Sequence, residues 1–544
     1  MQPMATSPHP LATRAGADVL QRGGTAAEAA VAMGAVLAVV MPHFCGLGGD
    51  AVWLMADRDG WATTLMGIGQ APGVLPDLPD ALPLRGPGSM LTTACAVDSW
   101  DHALRLSASR WSGAMTPEAL LAPALTLARD GFRPSDSQRF WLDFRAADWP
   151  DWPGFAAQFA AAENDLLRQP QLAEILSLMV RDGFRSFYQG PAAQRIAQGL
   201  AQAGAPLTAA DLAATHSRAA QPLSQPYRDL TLLAPPPPTQ GITTLAIMGI
   251  LDRLRIPRDP AMRTHLLVEA VKQAFLDRGR IADPDHAGDD ISALLYPDRL
   301  DAKAGAIRAD RALAWPHRVR HGDTVFFAAT DGQGRCASVL QSTYFDWGSG
   351  CVIGDTGIIW HNRGASFATD PTHPNVIAPG KRPFYTLNPG IALKDGRPHL
   401  LYGTQGADGQ PQTLAVLLSG LIDLGLSPEA ALAQPRFLLG RTFSDSRDSL
   451  KVEASLGDAA IASLAAMGHE TAELPTLSPI FGCAGAIRID ATGCSGAHDP
   501  RGEGLALRRR HRPRRGGSAA ADVGCPVSVE RRAGPGHGPC TMSA

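Results

Sequence analysis

The sequence predicts an α+β fold, on three observations. Apolar residues recur at helical spacing through the N-terminal third, short strand-like runs follow Thr324, and the two kinds of element segregate into layers. At 544 residues the chain exceeds the usual ceiling for one simple core, so two domains or one large layered domain is expected.

The elements follow in order. Leu11 to Gln21 and Ala26 to Val40 read as helices, separated by Arg22-Gly23-Gly24-Thr25, where glycine ends one and threonine caps the next. Strand-like runs occupy Ala51 to Met55 and Ala62 to Met66. A helix over Thr116 to Arg129 opens with threonine as cap and proline at its first position, and another runs from Gln171 to Asp182. The proline run Ala234 to Gly241 fits neither helix nor central strand and is an extended connection. After it come a buried helix over Thr244 to Leu254 and helical signals over His265 to Asp277. A looser segment then leads to His321-Gly322-Asp323-Thr324, where the character changes. Val325 to Ala329, Ala337 to Ser342 and Gly357 to Trp360 read as strands, the first two joined by the turn Asp331-Gly332-Gln333-Gly334. Gln412 to Leu424 returns to helix and Ala484 to Ile489 reads as a late strand. Residues 508–544 open on an arginine run and turn Gly-, Ala- and Pro-rich, as a disordered extension does.

Composition excludes more than it assigns. Hydrophobic residues make up 45% and charged residues 19%, and the formal net charge of -3 gives no ground for a polyanionic partner. No nucleic-acid partner is expected. The eight cysteines form no C-x-x-C pair and read as free thiols of a reducing compartment. Met1 to Gly16 lacks a basic patch followed by an apolar run, and the most apolar stretch, Ala29 to Met41, is too short to span a bilayer. The expectation is a soluble cytoplasmic protein with no membrane partner. His43, His321 and His361 lack paired ligand spacing, and Gly46-Leu47-Gly48-Gly49 follows a helix instead of opening one, so neither metal nor dinucleotide cofactor is expected.

The chemistry concentrates at Asp323-Thr324. A threonine hydroxyl needs a base against it. A chain cut before a threonine frees an α-amino group, whose pKa of about 7.7–8.0 suits proton shuttling near neutrality. Thr324 sits at a loop-to-strand transition, where its hydroxyl could reach the carbonyl before it. Alone, the tripeptide is common and reads as a loop residue capping or entering a strand.

Its context resembles the γ-glutamyltransferase family from about residue 5 to residue 507. The opening matches through His9-Pro10-Leu11-Ala12, Gly23-Gly24, Ala27 to Ala32 and Gly46-Leu47-Gly48-Gly49. Asp323-Thr324, Gly348-Ser349-Gly350, Pro379-Gly380-Lys381-Arg382-Pro383, Pro389-Gly390-Ile391 and Asp499-Pro500-Arg501-Gly502-Glu503-Gly504 follow in order. The resemblance implies a four-layer αββα sandwich of the N-terminal nucleophile hydrolase type. It also implies self-cleavage before Thr324, giving a large fragment 1–323 and a small fragment whose folded part is 324–507. Thr324 would be nucleophile and, through its α-amine, base. Ser342 would contact the nucleophile, and the backbone N–H groups of Gly406 and Ala407 would form the oxyanion hole.

The pocket residues depart from the family. Ile68 stands where an arginine holds the glutamyl α-carboxylate, and Asn362-Arg363-Gly364-Ala365-Ser366-Phe367 stands where an acidic pair holds the α-ammonium. Tyr344 replaces an asparagine, and Tyr385-Thr386 replaces a serine pair. A buried ammonium with no acidic partner is costly, which argues against ordinary γ-glutamyl recognition. Gln341-Ser342-x-Tyr344, Asn362-Arg363-Gly364 and Gly409-Gln410-Pro411-Gln412 resemble the family's oxamate amidohydrolase branch, which hydrolyses a small acid amide. Arg363 would pair with the substrate carboxylate, with Tyr344, Asn362, Tyr385 and Thr386 around it. Two readings stand beside this one: a γ-glutamyltransferase, glutathione hydrolase or related acylase, and a relative that only binds a ligand. Expected partners are a small amide substrate and the two fragments of one chain, with a homodimer left open.

Overall fold

The long apolar stretch near the N-terminus becomes a helix, Ala26–Val40, with every residue buried. Thr25 and Glu28 cap it reciprocally: Thr25 Oγ1 accepts from Glu28 N–H at 3.1 Å and Glu28 Oε2 accepts from Thr25 N–H at 2.7 Å. The computed structural model describes residues 2–160, 165–288, 290–315, 323–441 and 447–508. His321-Gly322, residues 509–544, Cys525 and Cys540 lie outside them. The six cysteines that are described are free and buried. No described helix is long and apolar enough to cross a membrane.

Sixteen strands are described: β1 (Met4–Ser7), β2 (Asp50–Ala56), β3 (Ala62–Gly67), β4 (Arg218–Ala220), β5 (Leu223–Tyr227), β6 (Leu230–Ala234), β7 (Asp323–Thr330), β8 (Cys336–Tyr344), β9 (Gly390–Lys394), β10 (Arg397–Thr404), β11 (Phe437–Leu439), β12 (Leu450–Glu453), β13 (Thr471–Leu474), β14 (Ala484–Asp490), β15 (Gly493–His498) and β16 (Leu505–Arg508). Two large antiparallel sheets result, in the orders β16-β1-β7-β8-β2-β3-β4 and β15-β14-β10-β9-β6-β5. A small sheet, β11-β12-β13, stands apart. The fold is therefore α+β.

Side chains alternate along these strands with a period of two, and each set joins a different core. On β7, Val325, Phe327 and Ala329 pack with the helices Pro10–Gln21 and Ala26–Val40. Phe326 and Ala328 of the same strand pack with Val52 and Leu54 of β2 and with Ile391, Leu401 and Ile487 of the second sheet. On β10, Leu400 and Tyr402 join the helices Gly241–Asp252, Pro260–Phe275 and Gln410–Ile422. The close approach between sheets is set at Gly403, where a Cβ would lie 2.2 Å from Phe326 Cδ2.

One predicted strand is not formed. Gly357 to Trp360 makes only isolated bridges, Val352 to Ile359 and Gly48 to Trp360. Glycines with positive φ at 348, 350, 354 and 357 turn the chain too often there for a ladder to extend.

Candidate active site

The site begins at a defect in pairing. Asp323 of β7 faces Tyr344 of β8, but Val325 faces Gln341, so Thr324 alone stands against two residues. Such a bulge re-aims a side chain. Thr324 is 1% exposed, and its Oγ1 donates to Ser342 Oγ at 3.1 Å. Ser342 Oγ also accepts from the Tyr344 N–H at 2.8 Å. Tyr344 has φ 83°, a left-handed conformation uncommon for a bulky residue, which turns the chain back at the end of β8.

Across the sheet, β2 places Asp50 directly opposite Ser342. The residue before it must be glycine: a Cβ at Gly49 would lie 2.4 Å from the Ser342 carbonyl oxygen. Asp50 Oδ1 accepts from Gly69 N–H at 3.0 Å and Cys95 N–H at 2.9 Å. Its Oδ2 accepts from the Tyr385 hydroxyl. Burial first, and then the Asp50 carboxylate, push the Tyr385 hydroxyl well above its ordinary pKa, so it remains a donor. His361 Nδ1 lies 3.0 Å from the same Oδ2 but without hydrogen-bond alignment. Its Nε2 is 3.1 Å from Thr92 Oγ1.

Arg363 opens the short turn Arg363–Ser366 and is 1% exposed. Its guanidinium carbon sits 3.8 Å from the Tyr344 ring centroid and 4.1 Å from that of Tyr385, so the cation is held between two aromatic rings. Nε and Nη1 are buried with no hydrogen-bond partner, and among the described residues Arg363 has no acidic partner. Thr386 Oγ1 is likewise buried and unpartnered.

The remaining wall is held by Gln240. The proline-rich connection runs alongside residue 385, with Tyr385 N–H donating to Pro238 O and Gln240 N–H to Tyr385 O, both at 2.8 Å. Gln240 Nε2 donates to Thr386 O at 2.8 Å and Ala407 O at 2.7 Å. Gly406 and Ala407 adopt φ 116° and 41°. Gly409 N–H donates to Gly406 O at 2.7 Å. Both carbonyls are thus fixed, and the N–H groups of Gly406 and Ala407 donate to no acceptor among the described residues. Gln410, fully buried, leaves both ends of its amide unpartnered.

The predicted residues fall into two groups. Thr324, Ser342 and Tyr344 touch in series, Arg363 joins Tyr344 to Tyr385, and Gln240 joins Thr386 to Ala407. Asn362 is committed elsewhere: Nδ2 donates to Leu84 O at 2.7 Å and Oδ1 accepts from Phe345 N–H at 3.2 Å. Ile68 is buried among apolar residues of both sheets. Arg382 is spent on Asp283, and Arg501 on Glu453 and Asp499, so these motif residues are scaffold. The roles of Asp50, Gln240 and Gln410 escaped sequence reasoning.

Among the described residues one group could hold a metal, His265, Glu269 and His469. Its atoms are already engaged. His265 Nδ1 is 2.8 Å from His469 Nε2, His265 Nε2 is 2.7 Å from Arg308 O, Glu269 accepts from Leu313 N–H at 2.9 Å, and the Lys272 ammonium is 2.7 Å from Glu269 Oε1. An ammonium in contact with the acidic member disfavours a second cation.

Two large antiparallel sheets with a paired buried hydroxyl at the head of a strand match the N-terminal nucleophile hydrolase folds of the chain's structural neighbours. The model of the gamma-glutamyltranspeptidase family matches residues 12–508. The chain belongs to that family and, within it, is a self-processing amidohydrolase. It is 42% identical to the oxamate amidohydrolase proenzyme of Klebsiella pneumoniae over 517 residues, covering 92% of this chain and 98% of that one. It is 36% identical to the glutathione hydrolase-like YwrD proenzyme of Bacillus subtilis, covering 93% and 98%. The crystal structure of cephalosporin acylase from Bacillus halodurans superimposes with a TM-score of 0.85 at 28% identity, covering 93% of this chain and 95% of that chain.

Proposed function

We propose that the chain cuts itself between Asp323 and Thr324, into fragments 1–323 and 324–544, and that Thr324 then hydrolyses oxamate or a similarly small acid amide. The observation that carries the substrate class is Arg363, a buried guanidinium clamped between Tyr344 and Tyr385 with Nε and Nη1 unspent. A buried cation of this kind is most stable with a carboxylate against its free N–H groups. The fold we infer is a four-layer αββα sandwich, supported by the alternation of β7 and β10 side chains between separate cores.

In this reading the Thr324 hydroxyl first attacks the Asp323 carbonyl, the amide bond between them breaks to leave an ester and the free α-amine, and water then cleaves the ester to release the Asp323 carboxylate and the Thr324 hydroxyl. For turnover, that amine takes the hydroxyl proton while Oγ1 attacks the amide carbon. Ser342, fixed by the Tyr344 N–H, aims the hydroxyl. The oxyanion forms against the Gly406 and Ala407 N–H groups. The proton returns to the leaving nitrogen, which departs as ammonia, and water cleaves the acyl ester to release the diacid.

The competing reading is γ-glutamyl transfer or hydrolysis. It requires an acidic partner for an α-ammonium, and the cation at Arg363 opposes one. Assaying ammonia from oxamate beside amine release from a γ-glutamyl amide separates the two. Ammonia release is expected to dominate; robust γ-glutamyl turnover without oxamate activity would overturn the proposal.

A further inference from the structure

Arg363 poses an electrostatic problem that its neighbours answer in an unusual way. A fully buried guanidinium needs a counter-charge. An aspartate in direct contact would supply one, but it would also cover the N–H groups that a substrate must reach. Here part of the answer is a ring. Tyr385 lays one face 4.1 Å from the guanidinium carbon, and at the far end of the same side chain its hydroxyl donates to Asp50. Asp50 is itself 1% exposed and carries two backbone N–H bonds besides, so its position is rigid. A hydrogen bond to a carboxylate pushes electron density from the phenol into its ring, which strengthens attraction between the ring face and a cation.

We infer that Asp50 is a specificity-determining positioning residue, acting through the Tyr385 ring to hold Arg363 oriented and open for a substrate carboxylate. This rests on the reading that Arg363 binds that carboxylate. The arrangement favours a small anionic amide. An uncharged amide gains nothing from it, and an amide bearing an ammonium near the same point is repelled. Asp50 touches neither the nucleophile nor the reacting carbonyl in this scheme. Its effect therefore belongs to binding rather than to the chemical step.

The test uses the processed enzyme with oxamate and with oxamide, the uncharged diamide of the same length. Arg363→Met checks the underlying reading: it is expected to abolish the preference for oxamate over oxamide, and an intact preference would sink both claims. Tyr385→Phe keeps the ring but breaks its bond to Asp50. It is expected to raise KM for oxamate about threefold, a fraction of what a whole buried cation–π contact supplies, with the effect in KM rather than kcat and the preference for oxamate over oxamide lowered by the same factor. Asp50→Asn is expected to do the same, and the double variant to be no worse than either single one, since both break one bond. If Arg363→Met abolishes the preference while Tyr385→Phe leaves KM for oxamate unchanged, or slows both substrates equally, the relay through the ring is wrong and the carboxylate reading stands. Tyr385→Phe decides the matter even if Asp50→Asn fails to fold.

Discussion

Thr324 and Ser342, the pair proposed to react, are hydrogen-bonded where a bulge brings one β7 residue against two of β8. Thr324→Ala is expected to leave one uncleaved chain on a denaturing gel, where the wild type gives two; two bands from the variant would contradict the assigned cleavage. Ser342→Ala removes the group that receives the Thr324 hydroxyl bond. The expected result is a fall in kcat of about 10- to 100-fold with KM little changed, since Ser342 aims the hydroxyl and binds no substrate. Losing Arg363 should instead act on KM. For Arg363→Met the loss of a buried charged pair is worth about 2–5 kcal/mol, at least roughly 30-fold in KM for oxamate. An unchanged KM would remove Arg363 from the binding site. Thr324, Ser342 and Arg363 were singled out in the sequence through the family resemblance of the motifs around them, and the structure joins them through Tyr344. Asp50 was not, because an aspartate after two glycines reads as a loop residue until cross-strand pairing sets it opposite Ser342.

At the level of elements, the proposed mechanism needs the spacing between the two large sheets to bring the amides near Gly406 to Thr324. Phe326 lies two residues after Thr324, and Gly403 lies three before Gly406. Gly403→Ala puts a methyl where Phe326 Cδ2 already stands, at 2.2 Å, and is expected to cost about 1–3 kcal/mol of stability through overpacking. Denaturant titration reads the stability, and an unchanged midpoint would show that the sheets have room to spare. The sequence signals for β7, β8 and the helix Ala26–Val40 were clear because each has strong periodicity and explicit punctuation. The pairs β5–β6 and β9–β10 were missed. Their turns use left-handed residues, Arg228 in one and Asp395-Gly396 in the other, and the second is a recognisable hairpin signal. Strands buried on both faces give continuous apolar runs that look alike in helix and sheet, which hid β10. The loop at Gly357 failed in the other direction, since its apolar run hid its turning glycines.

The whole molecule is interleaved around the proposed cut. In the first sheet β1 lies between β16 and β7, and β8 pairs with β2; in the second, β9 pairs with β6. Fragments 1–323 and 324–544 share both sheets and both associated cores, so they are expected to co-elute under native conditions and to part only in denaturant. Separation in plain buffer would contradict the shared sheets. Acid sensitivity is a second property of the whole fold. Burial holds His43 at about 3 and His498 at about 4, below their ordinary 6.5. An unfolded chain takes up these protons near 6.5, whereas the folded chain refuses them until near 4 or 3. Stability is therefore complete above 6.5 and falls as pH drops from 6.5 towards 4, by up to about 1.4 kcal/mol per pH unit for each histidine. A denaturation midpoint that stays flat over that range would show that these histidines are not held neutral. One measurement bears on the nucleophile itself: the intact mass spectrum of the enzyme, acid-quenched during turnover of oxamate. Two fragments are expected, the smaller beginning at Thr324 and carrying one oxalyl group on that residue. A full-length chain that turns over oxamate, or an acyl group on any other residue, would contradict this.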